Sequence, residues 1–70
     1  MIKIYDEGIY TVVEVNEEDF NKVNTFLLHS NKDNVKILLG NDIEQEYLSE
    51  ILDIEPSNLK YADYYKVVKL

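Results

Sequence analysis

The chain contains no cysteine, no arginine and no tryptophan, and only two glycines, one proline and one histidine among its 70 residues. Each absence excludes something. Without cysteine there is neither a disulfide framework nor a thiolate metal site. Small secreted domains generally depend on such bridges, so a cytoplasmic location is expected. One histidine, His29, cannot build a zinc site, and no stretch has the spacing of a calcium-binding loop. Gly8 and Gly40 stand alone, so no glycine-rich phosphate loop exists. Lack of arginine removes the bidentate fork that grips phosphate or guanine. The start, Met1-Ile2-Lys3-Ile4-Tyr5, has no long apolar run and no cleavage pattern, which argues against a signal peptide and a membrane span. His29 has no visible partner to orient it as a general base, and Ser30, Ser49 and Ser57 are isolated hydroxyls. A chain this short also has little room for a cavity of several hundred cubic ångströms. An enzyme is not expected, and no catalytic residue, cofactor or metal is assigned.

What remains suffices for one domain covering residues 1–70. Apolar residues make up 46% of the chain, with six tyrosines. A domain of this size buries roughly 60% of its unfolded surface, so most of those residues are needed in the core. Ile2 to Tyr5 alternates as a strand does, Asp6-Glu7-Gly8 supplies a three-residue turn, and Ile9 to Val15 is rich in β-branched residues. The segment 2–15 therefore reads as a β-hairpin. Asn16 is a good N-cap, with Glu17, Glu18 and Asp19 where the helix dipole favours anions. Phe20, Val23 and Leu27 fall on one stripe with Phe26 beside it, which extends the first helix to about His29. Asn31 to Asn34 is a polar break, and Val35 to Leu39 reads as a buried strand stopped by Gly40. Asn41 or Asp42 caps a second helix, with Glu44 or Gln45 as the reciprocal capping partner. Ile43, Tyr47, Leu48, Ile51 and Leu52 form its apolar face, and Pro56 ends it. Ser57 to Ala62 suits a short helical turn capped by Ser57, and Tyr64 to Leu70 a closing strand. The expected fold is α+β in the order ββαβαβ, a mostly antiparallel sheet with two helices packed on one face.

Residues 45–62 bear a partial likeness to a known motif. Leu48, Leu52, Ile54 and Leu59 are spaced as the buried positions of a helix-turn-helix, and Ile54-Glu55-Pro56-Ser57 resembles its turn. That resemblance implies a transcription regulator or adaptor using residues 43–65. It departs from the motif at Asp53, where a turn glycine is usual. The second helix would present only Lys60 and Lys66, beside Asp63, to the phosphates that a recognition helix requires.

Charge is the strongest lead. Fourteen carboxylates against seven lysines give a net charge of −7, which repels nucleic acid and anionic membranes and attracts basic surfaces. Residues 1–19 carry −5, residues 41–56 carry −6 with no lysine, and residues 20–40 and 57–70 carry +2 each. Asp42, Glu46 and Glu50 recur every four residues, roughly 6 Å apart along a helix edge, with Asp53 and Glu55 continuing the series. Like charges at this spacing oppose the helix by a few tenths of a kcal/mol per pair, and a merely solubilising face would interleave lysine. The five residues are therefore the candidate partner-binding set. A row of carboxylates resembles the phosphates of a nucleic acid, and the likeness in type is to small acidic inhibitors encoded by phages or mobile elements. The expected partner is the basic surface of a nuclease or other nucleic-acid-handling enzyme, with no direct contact to nucleic acid or membrane. The chain itself would be a monomer or homodimer. A third expectation is a structural oligomerising subunit that pairs its sheet with another copy through exposed tyrosines.

Overall fold

The structure is a computed structural model that describes residues 2–23, 28–60 and 62–70, with only the backbone described for 28–31. It is an α+β domain. The strands are β1 (Lys3–Glu7), β2 (Tyr10–Val15), β3 (Leu28–Asn31), β4 (Val35–Leu39) and β5 (Tyr64–Lys69). The helices are α1 (Glu17–Lys22) and α2 (Asp42–Leu52), and a single 3₁₀ turn spans Pro56–Asn58. The strands form one sheet in the order β1-β2-β5-β4-β3. Only the central β2–β5 pair is parallel; the other three pairs are antiparallel. As expected, the sheet is mostly antiparallel with both helices on one face.

Strand alternation decides what is buried. Val13 and Val15 of β2, Tyr65 and Val67 of β5 and Leu38 of β4 point to one side, where they meet Phe20 and Val23 from the first helical segment and Leu48 and Leu52 from α2. Leu59 closes this core from the 3₁₀ turn, and Ile2 and Ile4 pack on its margin. Adjacent Tyr64 and Tyr65 point to opposite faces, and Tyr65 is the buried one.

Four local expectations are corrected. The β1–β2 turn is the two-residue Gly8–Ile9, with Asp6 and Glu7 inside β1 and Glu7 paired to Tyr10. Gly8 has φ 63° while Ile9 does not share the positive φ, the pattern of a type II′ hairpin turn, which matches strand twist. Helix α1 does not run to His29: it ends at Lys22, and residues 28–31 form a strand. Phe26 and Leu27 of the expected stripe lie outside the described residues, as does the His29 side chain. The polar break is a hairpin turn, in which Lys32 N–H donates to Val35 O at 2.8 Å. Pairing β3 along β4 satisfies backbone groups that β4 would otherwise leave open, and that requirement overrides a helical side-chain pattern. Finally, the turn after α2 is Pro56–Asn58, without side-chain capping and not started at Ser57. Tyr61 lies outside the described residues.

Gly40 joins β4 to α2 where the backbone of Ala62 and Asp63 passes against it. Its N–H donates to Asp63 O at 2.8 Å, and a Cβ there would collide with the Ala62 carbonyl. No other residue fits so close an approach.

Candidate partner-binding surface

The surface is carried by α2, and α2 is well anchored. Asn41 Oδ1 accepts from Glu44 N–H at 3.0 Å, which caps the first turn. Leu48 and Leu52 are buried in the core, and Tyr47 Oη reaches Lys22 O at 3.4 Å. The Gln45 amide donates to Leu59 O at 2.6 Å, tying the outer side of the helix to the 3₁₀ turn. The helix stops at Asp53, which takes the left-handed conformation at φ 55°, ψ 51°. Ile54 N–H then folds back on Ser49 O at 3.0 Å, as in a Schellman closure. Asp53 holds the one positive φ among described residues other than glycine.

All five candidate residues are exposed. At about 100° per residue, Asp42, Glu46 and Glu50 occupy an outward arc of about 80°. Asp53 continues their edge at the helix end. Glu55 lies past the turn, exposed beside Pro56, and makes no capping bond with its side chain. The structure thus unites four of the five on one helix and its cap, with the fifth on the following turn. The ion pairs Lys22–Asp19, Lys66–Glu7 and Lys69–Glu17 engage acids from the first nineteen residues. Glu46, Glu50, Asp53 and Glu55 join none of them.

The expected apolar face of α2 holds at four of its five positions: Leu48 and Leu52 are buried, and Tyr47 and Ile51 pack half-buried against the core. Ile43, placed there in the core, is 68% exposed, while Glu44 is 3% exposed in line with Leu48 and Leu52. One oxygen of Glu44, Oε2, has no hydrogen-bond partner among the described residues. The i, i+4, i+8 series 44, 48, 52 marks this inward position, but a carboxylate at its head masked it. Ile43 therefore stands beside Asp42, Glu46 and Glu50 as an exposed apolar side chain at the border of an acidic row.

The helix-turn-helix arrangement over 43–65 is absent. Among the described residues, α2 is followed by one 3₁₀ turn and then by β5, so no recognition helix forms there. Among the described residues, no helix is long and apolar enough to cross a membrane. An open depression of about 560 Å³, lined by Leu39, Gly40, Asn41, Ala62, Asp63 and Tyr64, is larger than the chain length suggested. Asp63 is its only carboxylate. No family model matches the chain, and neither does any curated protein or solved structure.

Proposed function

We propose that the chain is an acidic protein-binding module that occupies a basic surface on a partner protein, a surface that otherwise handles nucleic acid. The observation that carries this reading is the outward edge of α2. Four carboxylates sit along one anchored helix and its cap, with no lysine in the segment and, among the described residues, no ion pair at Glu46, Glu50 or Asp53. A helix fixes its side-chain origins about 6 Å apart every four residues, close to the spacing of successive phosphates along one strand. Lysines and arginines lining a groove would meet such a row with little reorganisation. Ile43 adds an apolar contact at its border, of the kind that anchors an interface surrounded by charge.

Asp53 supports the same reading. A left-handed helix cap favours glycine, and an aspartate there costs backbone strain. Strain held at a charged exposed position is a recognised mark of sites kept for something other than stability. Capture of partners from lysate at low salt, followed by elution with an unrelated duplex or single-stranded polynucleotide, tests the proposal. Release of the captured protein by the polynucleotide is expected, since both ligands would compete for one groove. A partner retained through saturating polynucleotide would show that the acidic edge does not stand in for phosphate.

A further inference from the structure

The sheet face opposite the helices carries no helix among the described residues, yet it is largely apolar. On β4 it presents Val35, Ile37 and Leu39, and on β5 Tyr64 and Val68, in register side by side. On β2 and β1 it presents Tyr10, Val12 and Tyr5. The Tyr10 and Tyr64 rings lie 5.8 Å apart, and Leu39 is 43% exposed. Val12, in register between Tyr5 and Lys66, is only 1% exposed. Among the described residues, the charged ones on this face are Lys3, Glu7, Glu14 and Lys66, two of each sign. On a molecule of net charge −7, this face is electrically neutral.

That neutrality selects the occupant. A basic partner is drawn to the acidic surface and gains nothing here, while a second copy of a strongly acidic chain is repelled everywhere except on a neutral face. We infer that this face is the interface of a homodimer, formed by sheet-on-sheet packing of two copies. Four strands about 4.8 Å apart and three side-chain rows about 6.7 Å apart give a patch near 19 × 20 Å. Two such patches with the relief of their side chains bury on the order of 1,000 Å², where specific interfaces begin. The dimer is accordingly expected to be a weak one.

Charge also selects the symmetry. A two-fold axis parallel to the strands lays β1 over the partner's β4, and β2 over its β5. Lys3, Glu7, Glu14 and Lys66 would then face Val35, Leu39, Val68 and Val12, leaving every charge against an apolar group, which is costly. An axis in the sheet plane but perpendicular to the strands lays each strand over its own copy, end reversed. Glu7 then meets the partner's Lys3, Tyr10 meets the partner's Glu14, and Leu39 meets the partner's Val35. Lys66 falls on the axis opposite the partner's Lys66, and each of these two ammonium groups is balanced by its own Glu7 at 3.6 Å and by the Tyr10 ring beneath it. The second arrangement is the one we assign. Helix α2 lies on the far side of the sheet, so both of its acidic edges stay open in the dimer.

Sedimentation equilibrium from micromolar to millimolar chain concentration tests the inference. A reversible monomer–dimer equilibrium is expected, weakened at least about tenfold by Ile37→Lys and unchanged by Glu46→Lys. Lys3→Glu and Glu7→Lys change exposed positions and should each sediment as monomers where the wild type dimerises. Mixed in equal amounts, they should recover a dimer, since each glutamate of one then faces a lysine of the other. A monomer at millimolar concentration, or a dimer indifferent to Ile37→Lys, would overturn the interface. Failure of the mixture to associate would overturn the assigned symmetry. Because Ile37→Lys, Lys3→Glu and Glu7→Lys leave α2 untouched, their outcome is independent of whether the acidic edge binds a partner.

Discussion

Lys36 projects from β4 toward the helices, and its ammonium donates to Phe20 O at 2.9 Å and Val23 O at 2.7 Å. These are carbonyls at the end of α1, where helical donors run out: Phe20 O also accepts from Val23 N–H at 3.2 Å. The ammonium also lies 4.3 Å from the centre of the Phe20 ring. Burial, and secondarily the nearby Lys69 charge, lowers the pKa of Lys36 from the usual lysine value. Lys36→Met is expected to lower stability by about 1–3 kcal/mol, because two charge-assisted hydrogen bonds are lost and the Val23 carbonyl loses its ammonium donor. The sign of the pH effect follows from the lowered pKa. Approaching the unfolded value of about 10.4 the unfolded chain holds more protons, so wild-type stability rises with pH in that window. Urea unfolding should therefore show the gap between wild type and Lys36→Met widening as pH is raised toward about 10. A gap that closes with rising pH would mean that the ammonium is better solvated by the fold than by water. Tyr5 behaves oppositely. Its hydroxyl donates to Glu14 Oε2 at 2.8 Å, and this bond first, then burial and the charges of Glu14 and Glu7, raises its pKa. The stability it contributes is present below about pH 10 and is lost as pH rises through the folded value. Spectrophotometric titration should show Tyr5 ionising above the usual tyrosine value, and Glu14→Gln should bring it back toward that value. Neither contact was legible in the sequence, where Lys36 is one residue of a short apolar run and Tyr5 one of an alternating strand. Both depend on which strand lies next to which.

At the scale of elements, the sequence was most readable where local chemistry is strong. Asn16 and Asn41 cap their helices as their composition suggests, each accepting an N–H three residues on. Val35–Leu39 and Tyr64–Lys69 are strands because β-branched and apolar residues dominate them. The misreadings arise where a long-range requirement overrides local pattern. Phe20 and Val23 do belong to a helical stripe, but the chain is needed beyond them as β3, the partner of β4. A single sequence does not reveal that edge pairing. The five candidate residues were legible because exposure follows charge, and all five are exposed. So was most of the apolar face of α2; the inward place of Glu44 was not, because a carboxylate there interrupts the apolar series. The left-handed cap supplies the test at this scale. Asp53→Gly removes the strain of φ 55° and is expected to stabilise the domain by up to about 1 kcal/mol. The same change should weaken partner binding by removing one carboxylate of the row. A variant that is stabilised and still binds fully would place Asp53 outside the binding set.

Across the whole molecule, the two faces of one sheet carry different charge. The helix-covered side displays the unbalanced carboxylates of α2, and the open side displays balanced pairs among tyrosines and aliphatic residues. This division was only half visible beforehand. The block of residues 41–56 without lysine can be counted in the sequence, whereas the neutrality of the open face emerges only when β1, β2, β4 and β5 are brought into register. The central claim is that the acidic edge of α2 is a contact surface rather than a solubilising one. Its most direct test is the affinity of the captured partner for Glu46→Lys/Glu50→Lys, beside the control Glu17→Lys/Glu18→Lys, which changes net charge equally. Glu46 and Glu50 are exposed, and reversing them relieves repulsion along the helix, so that variant should fold as stably as the wild type or slightly more so. The control reverses acids that favour the start of α1, including the Glu17 partner of Lys69, and should lose some stability. The account predicts that binding and its salt dependence vanish in the α2 variant and persist in the control. Wild-type affinity in the α2 variant, or equal loss in both, would contradict it.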